Sequence, residues 1–207
     1  NIVPSGEGCA AFADAAVRGR ARMLIGEERA VGELWAAARR RLPPPRTDRP
    51  GQPVYVIERG QEPPAGGTGL RRAIRDDLDV LVPACAAAHY EELRIDPLAR
   101  DRDGFIWRTR AQIEEGRSWI WREGDLILFK AEASAWTPGA VQLQQVWTDP
   151  PARGAGNAHR ALCDLLRLLL AEVPRVCLFV RPENGRAIRT YEAVGMQRTI
   201  AYRSIIF

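Results

Sequence analysis

The glycine-rich turn at residues 153–158, Arg-Gly-Ala-Gly-Asn-Ala, carries the residue types best suited to chemistry in this chain. Gly154 and Gly156 allow the backbone to turn tightly and to approach a ligand closely. A helix predicted from Asn157 onward leaves the amides of its first turn unpaired, and such amides form an anion site. Arg153 adds a group that suits phosphate oxygens. The turn therefore predicts a cradle for a phosphate-bearing ligand.

Two regular elements are expected to position this turn. Residues 141–147, Val-Gln-Leu-Gln-Gln-Val-Trp, alternate and are rich in strand formers, which predicts a strand leading into it. In residues 157–172 the apolar side chains follow the i, i+3, i+4, i+7 spacing of one helix face. Gln142 and Gln144 share one face of the strand, and two interpretations are open: they face solvent, or they hold a polar substrate.

The chain from residue 69 onward predicts an α/β domain with a mixed sheet and helices on both of its faces. Pro83 is expected to interrupt the first helix, which starts at an acidic N-cap at Asp76. The predicted strands cover 69–73, 118–123, 125–135, 141–147, 175–180 and 196–207, and the predicted helices cover 76–92, 104–115, 157–172 and 185–194.

A linker is predicted at residues 61–68, which contain no apolar anchor and several chain-breaking residues. Before it, residues 1–60 predict a smaller α/β unit whose core is marginal at about 60 residues. Its expected elements are strands at 1–4, 21–25 and 53–58 and helices at 9–18 and 30–41. The domains are therefore predicted to span residues 1–60 and 69–207.

Amino-acid composition limits the classes of protein to which this chain could belong. The 207 residues are 46% apolar and 27% charged, which is typical of a folded globular chain. No apolar run reaches the ~20 residues of a membrane span, so no membrane partner is expected. The four cysteines form no CxxC pair and predict free thiols in a reducing compartment, the cytoplasm, without a metal site. A net charge of +4, almost all of it from arginine, suits an anionic partner without identifying one.

A second motif follows the turn: Asn184, Ala187, Tyr191 and the Val-Gly-Met turn at 194–196. Together the two motifs resemble the GNAT superfamily of acyltransferases, whose Gln/Arg-x-x-Gly-x-Gly/Ala loop is matched by Arg153, Gly156 and Ala158. Methionine stands at 196, where the family pattern has phenylalanine. The resemblance covers residues 69–207 and implies a mixed, mostly antiparallel GNAT-type sheet.

The resemblance also implies acetyl-CoA or another acyl-CoA as donor, with no metal. The diphosphate would lie in the turn, and the pantetheine arm would pair with the backbone of the strand before it. The implied donor-binding residues are Val146, Trp147, Arg153, Gly154, Ala155, Gly156, Asn157, Ala158, Asn184 and Ala187. Gln142 and Gln144 are the candidates for contact with the acceptor.

Acyl transfer to an amine needs a base and an acid, because an alkylammonium has a pKa near ~10.4 and the thiolate leaves more easily with a proton. Tyr191 occupies the family's acid position; a tyrosine packed in the core is the other interpretation. Glu132, on the predicted strand at 125–135, is the first candidate for the base, and an ion pair with Lys130 is the alternative. Glu91 and Glu92 are the next candidates.

The turn at residues 5–10, Ser-Gly-Glu-Gly-Cys-Ala, is similar to the turn at 153–158. Gly8 and Ala10 match Gly156 and Ala158, but Ser5 replaces the arginine and Glu7 adds negative charge. We therefore expect residues 1–60 to be a degenerate partial GNAT-like unit that precedes a complete GNAT domain.

Three functions are consistent with these patterns. The first is transfer of an acyl group, in the simplest case acetyl, from acyl-coenzyme A to the primary amine of a small molecule. The second keeps the fold and uses aminoacyl-tRNA as donor, which would need a basic surface running to the acyl site. The third is a non-catalytic module that senses coenzyme A. The sequence does not identify the acceptor or the oligomeric state.

Overall fold

Eight strands and six helices follow one another along residues 1–207, all of which the computed structural model describes. The strands are β1 (Met23–Glu27), β2 (Thr47–Glu58), β3 (Arg71–Arg72), β4 (Ser118–Glu123), β5 (Leu126–Thr137), β6 (Ala140–Trp147), β7 (Arg175–Phe179) and β8 (Gln197–Ile206). The helices are α1 (Ala13–Arg18), α2 (Glu28–Ala38), α3 (Leu78–Leu93), α4 (Pro97–Glu114), α5 (Asn157–Glu172) and α6 (Gly185–Ala193).

The predicted fold class, a mixed and mostly antiparallel α/β fold, is confirmed by the strand pairing. The pairs β1–β8, β3–β4, β4–β5 and β5–β6 are antiparallel, and β6–β7 is parallel. The chain divides into two units, which are described separately. One contains Asn1–Tyr55, Phe179–Arg189 and Gln197–Phe207, and the other contains Val56–Leu178 and Thr190–Met196.

The first unit has the strand order β1-β8-β2. Its core forms because α2 places apolar residues on one face, and these pack with β1 and β8. Leu24, Val31 and Ile205 are all fully buried there. The strand predicted at Asn1–Pro4 is wrong: this segment makes only one bridge, between Ile2 and Leu24. It crosses β1 so closely at Gly26 that the backbone of Pro4 leaves no room for a Cβ.

The second unit places β7, β6, β5, β4 and β3 side by side in that order. Helices α3 and α4 cover β4, β5 and β6 because the small and aliphatic residues of one α3 face meet the branched residues of the strands. The buried residues of this contact are Ala73, Leu81, Ala84, Ala88, Ile113, Ile120, Ile127 and Trp147.

Two helix predictions in this unit need correction. Pro83 lies inside α3 and does not interrupt it, since a proline removes one helical hydrogen bond and the helix continues on either side. The helix predicted from residue 104 begins at Pro97, where Asp96 caps the amides of Leu98 and Ala99. A kink at Asp101 separates this first part from the periodic sequence that follows.

Residues 61–68 have no regular secondary structure, as expected of a linker, but they are fixed to α5. The Asp164 carboxylate accepts from Gly66 N at 2.7 Å and from Thr68 N at 2.9 Å. Arg160 donates to the carbonyls of Gly66 and Gly67 at 3.0 and 2.9 Å. The domain boundary predicted at 61–68 stays a prediction. The two compact units have different boundaries, because β8 (Gln197–Ile206) pairs with β1 and so belongs to the same unit as the first residues.

The remaining expectations about composition concern thiols and membranes. All four cysteines are free; Cys9, Cys85 and Cys163 are buried and Cys177 is half-buried. None of the helices combines the length and the hydropathy that a bilayer span requires.

Candidate active site

The turn at residues 153–158 leads into α5, which begins at Asn157 as predicted, and a single 3-10 turn at Pro150–Ala152 separates it from the end of β6. Gly154 and Gly156 have φ angles of 89° and 77°, a region that favours glycine. Asn157 Nδ2 donates to the carbonyl of Ala152 at 3.1 Å and closes the turn. No side chain caps α5, and no atom lies within 4 Å of the Cβ position of either glycine. The first-turn amides of α5 are therefore open to an anion.

Strand β6 leaves its parallel neighbour before it reaches the turn. The β6–β7 pairs are Val141 with Val176 and Gln142 with Cys177. Further along β6, Gln145 has a φ of 52°, and the register with β5 shifts at this point. The backbone of Val146 and Trp147 thus lies beyond the parallel pairing, where an extended ligand arm can approach it.

Arg153 is already engaged at the entrance to the turn. Its Nη2 donates to both carboxylate oxygens of Glu91, at 2.8 and 3.0 Å, and its Nε donates to the Thr148 carbonyl at 2.9 Å. The guanidinium also lies 5.8 Å from the centre of the Trp147 ring, whose Nε1 donates to Glu91 at 3.1 Å. The Nη1 group is the part of Arg153 that these bonds leave for a ligand.

Glu132 lies on β5 in a buried cluster. Its Oε1 accepts from Lys130 Nζ at 3.2 Å and from the Cys85 thiol at 3.1 Å. Lys130 is fully buried and Glu132 is 8% exposed. The second interpretation of Glu132, an ion pair with Lys130, describes this geometry. Its Oε2 accepts only a long bond from Gln144 Nε2, at 3.4 Å.

The protonation of this cluster follows from its burial. Burial disfavours the charged form of Lys130, but Cys85 and Glu132 outweigh that effect and raise its pKa above the ordinary value. Burial also raises the pKa of Cys85 to about 12, so its thiol stays protonated at neutral pH and is not a nucleophile.

Gln142 and Gln144, the two residues predicted to contact the acyl acceptor, lie on β6, next to the strand that carries Glu132. Gln144 is opposite Glu132 in the β5–β6 register, and Gln142 Nε2 donates to the Ser134 hydroxyl at 2.9 Å. Gln142 is half-buried and Gln144 is exposed. Glu132, Gln142 and Gln144 are therefore brought together.

The second motif lies on and before α6. Tyr191 is buried, and this burial, with a smaller effect from Glu92, raises the pKa of its phenol. Asn184 Oδ1 accepts from Ala187 N at 3.2 Å and so begins the helix as an N-cap residue. The roles of Tyr191, Asn184 and Ala187 toward a donor stay predictions.

A cavity of about 540 Å³ lies between α3 and the ends of β5 and β6. Its apolar lining includes Val80, Ala84 and Trp147, and its carboxylates are Asp79, Asp125 and Asp149. This volume suits a small organic molecule, and the carboxylates suit a cationic one. The structure has no group of three or more His, Cys, Asp or Glu side chains placed to hold a metal ion.

Sequence reasoning missed two features of the site. It named Glu91 as a candidate base and did not pair it with Arg153. It also did not predict that Lys130 is fully buried, although the only lysine of the chain lies between Phe129 and Ala131 in an apolar strand. This apolar sequence could have indicated that Lys130 is buried and therefore paired with an acid, because a buried lysine needs an anionic partner.

Comparison with known proteins gives solved structures only: no family model matches the chain, and no curated protein does. A GNAT-family acetyltransferase from Colwellia psychrerythraea is 12% identical, with a TM-score of 0.65 over 98% of this chain and 75% of that one. A putative GNAT-family acetyltransferase from Novosphingobium aromaticivorans is 20% identical, with a TM-score of 0.59 over 96% and 78% of the two chains.

A third structure shows a protein of similar fold with a ligand. It is a predicted acetyltransferase with acetyl-CoA from Clostridium acetobutylicum, 20% identical, with a TM-score of 0.50 over 63% of this chain and 90% of that one. At these identities the likeness concerns the fold. The turn, the diverging strands and these similarities together show that this chain has the fold of the GNAT acetyltransferases.

Proposed function

We propose that the chain is a GNAT-superfamily N-acyltransferase that moves an acyl group, in the simplest case acetyl, from acyl-coenzyme A to the primary amine of a small molecule. The observation that carries the proposal is the turn at 153–158. Two glycines with positive φ precede an uncapped helix N-terminus, and the strand before them has left its parallel neighbour. Such a terminus offers amide donors and about half a positive charge to a diphosphate.

The donor is proposed to bind along the turn and the strand before it. The backbone of Val146 and Trp147 is free of β7 and would bind the pantetheine arm, and the turn would bind the diphosphate. The acetyl-CoA in the Clostridium acetobutylicum structure of the same fold supports this choice of donor. The turn residues in this role are Arg153, Gly154, Ala155, Gly156, Asn157 and Ala158, and Asn184 and Ala187 stay predictions.

Tyr191 is the proposed acid. Burial raises the pKa of its phenol, which keeps the O–H at neutral pH but also weakens it as an acid. We therefore expect it to donate a hydrogen bond to the departing thiolate and to give up its proton only as the negative charge on sulfur develops. Glu132 is the proposed base. Lys130 and Cys85 hold its Oε1, which leaves Oε2, with one long bond to Gln144, to take a proton from the amine directly or through a water.

The acceptor is proposed to be a small cationic amine. Gln142 and Gln144 lie on the strand beside Glu132 and could orient it. The carboxylates of the cavity next to Trp147 would attract its ammonium group. Neither alternative function has a specific observation in its favour.

Two measurements test the proposal. Calorimetry with coenzyme A should show binding to the wild-type chain and its loss in Arg153→Glu. A thiol-release assay with acetyl-CoA and a panel of primary amines should then show turnover, which Tyr191→Phe lowers about 100-fold in kcat with little change in KM.

The outcomes separate the three functions. Binding of coenzyme A without turnover for any amine favours the sensing module. A chain that does not bind coenzyme A and binds tRNA with a steep salt dependence favours the tRNA-dependent function. Unchanged turnover in Tyr191→Phe removes the acid role of Tyr191 and leaves the donor site intact.

A further inference from the structure

Glu91 lies where helix electrostatics disfavours an acid. It occupies the last turn of α3, which ends at Leu93, and Arg94 follows in the left-handed conformation with a φ of 57°. The carboxyl end of a helix carries about half a negative charge, so an acid in the last turn is repelled unless a cation neutralises it. Helix formation therefore does not explain a glutamate at this position.

The cation that neutralises Glu91 is Arg153, the first residue of the turn at 153–158. Three donor contacts converge on the Glu91 carboxylate: two from Arg153 Nη2 and one from Trp147 Nε1. The side chains of Glu91 and Arg153 are 43% and 31% exposed, so this pair lies at the surface of the site and is reached by water. This contact orients the guanidinium and also places a negative charge beside the turn.

That charge matters for any anion in the turn. A diphosphate there can use the Nη1 group of Arg153 and the amides of α5, but it does so in the presence of Glu91. We propose that Glu91 sets the affinity of the donor site: its charge weakens the hold on any diphosphate in the turn, so that tight binding depends on contacts made by the rest of the donor. This inference rests on the proposed function, because it requires coenzyme A to bind at the turn.

The consequence is weak binding of diphosphates that lack a pantetheine arm. ADP has only the diphosphate end to offer, and there the repulsion from Glu91 is not compensated. Coenzyme A can add contacts of its arm with the backbone of Val146 and Trp147. Removing a unit charge about 8 Å from a diphosphate, in a half-exposed and salt-screened site, should tighten binding about fivefold to tenfold.

The variant that tests this is Glu91→Gln, which keeps an acceptor oxygen for Trp147 and Arg153 and removes the charge. The matched control is Glu172→Gln, which removes the same charge from the other end of α5, about 24 Å from the turn, where Glu172 pairs with Arg72. Calorimetry with coenzyme A, ADP and pantetheine is run at 0.05 and 0.5 M NaCl on all three proteins.

The expected result at low salt is binding of coenzyme A and ADP about fivefold to tenfold tighter in Glu91→Gln than in wild type. The gain should shrink at high salt, pantetheine should show none, and Glu172→Gln should match wild type. If wild type binds coenzyme A and Glu91→Gln binds it equally or more weakly, Glu91 only positions Arg153 and the inference is overturned while the proposed function stands. If no protein binds coenzyme A, the proposed donor site is wrong and the inference with it.

Discussion

Replacement of Lys130 by methionine should strongly destabilise the second unit, because it leaves the buried carboxylate of Glu132 without its cation. Lys130 Nζ lies 3.2 Å from Glu132 Oε1, and at an effective dielectric constant of about 20 this attraction is about 5 kcal/mol. Part of this attraction is offset because the variant no longer buries an ammonium group, whereas the neutral contacts from Cys85 and Gln144 are present in both proteins and cancel. We therefore expect Lys130→Met to lower the free energy of unfolding by about 3–4 kcal/mol.

The assay is denaturation of the wild-type chain, Lys130→Met, Glu132→Gln and the double variant. For a chain of this size, Lys130→Met should lower the Tm by about 6–16 °C. The double variant removes both charges and should be more stable than Lys130→Met by at least about 2 kcal/mol. Arg72→Met, which breaks an exposed pair with Glu172, is the control and should lose less than about 1 kcal/mol.

The reasoning is refuted if Lys130→Met loses less than about 1 kcal/mol, or if the double variant is no more stable than Lys130→Met. Either result would mean that the buried pair does not depend on its two opposite charges.

Three further predictions concern single positions. Gly156→Ala should cost about 1 kcal/mol of stability and weaken coenzyme binding, because its φ is 77°, whereas Gly156→Asn should cost about half as much. Arg71 holds the pKa of the buried Asp77 below its ordinary value, so this carboxylate stabilises the fold above pH about 4, and the stabilisation is lost as pH falls through the lower folded value. Asp77→Asn should therefore lower stability at pH 7 and flatten its acid dependence. Gly66→Ala should destabilise α5 by more than about 2 kcal/mol, because a Cβ there meets the backbone of Arg160.

Each of these has its own check. Equal stabilities of the alanine and asparagine variants at 156 would contradict a cost due to backbone conformation, since nothing surrounds that Cβ position. For Asp77, urea titrations between pH 2 and 7 should converge for variant and wild type at the acid end; parallel curves would contradict the linkage. For Gly66, hydrogen exchange in α5 is the measurement, and Gly67→Ala is the control: its Cβ meets open space, so it should lose only the cost of its positive φ of 63°, about 1 kcal/mol.

The turn and α5 could be predicted because their signals are local. Two glycines, the strand formers before them and the helical spacing after them lie within about thirty residues, and no distant partner changes the outcome. Helix α5 accordingly spans Asn157–Glu172, the predicted bounds. The start of α4 was missed because the periodic sequence begins only after the kink at Asp101.

The polar contacts between α3 and the rest of the site could not be predicted, because they join residues far apart in the sequence. Arg153 meets Glu91 across 62 positions, and Cys85 meets Glu132 across 47. Such contacts depend on how α3 packs against the strands, which composition and periodicity do not specify. The same reason explains why the contacts of residues 61–68 with α5 could not be predicted: their partner, Asp164, lies about a hundred residues further on.

The pairing of β1 with β8 has a consequence for synthesis of the chain. Met23 is opposite Ile206, so the first unit cannot complete its sheet until about 180 further residues have left the ribosome. At typical elongation rates this delay is about 10–40 s, whereas Val56–Leu178, which form most of the second unit, have all been made before β8. During that interval the apolar face of α2 lacks its β8 partner. The first unit is therefore the part of residues 1–207 that stays incomplete longest during synthesis, with an apolar helix face that a chaperone could cover.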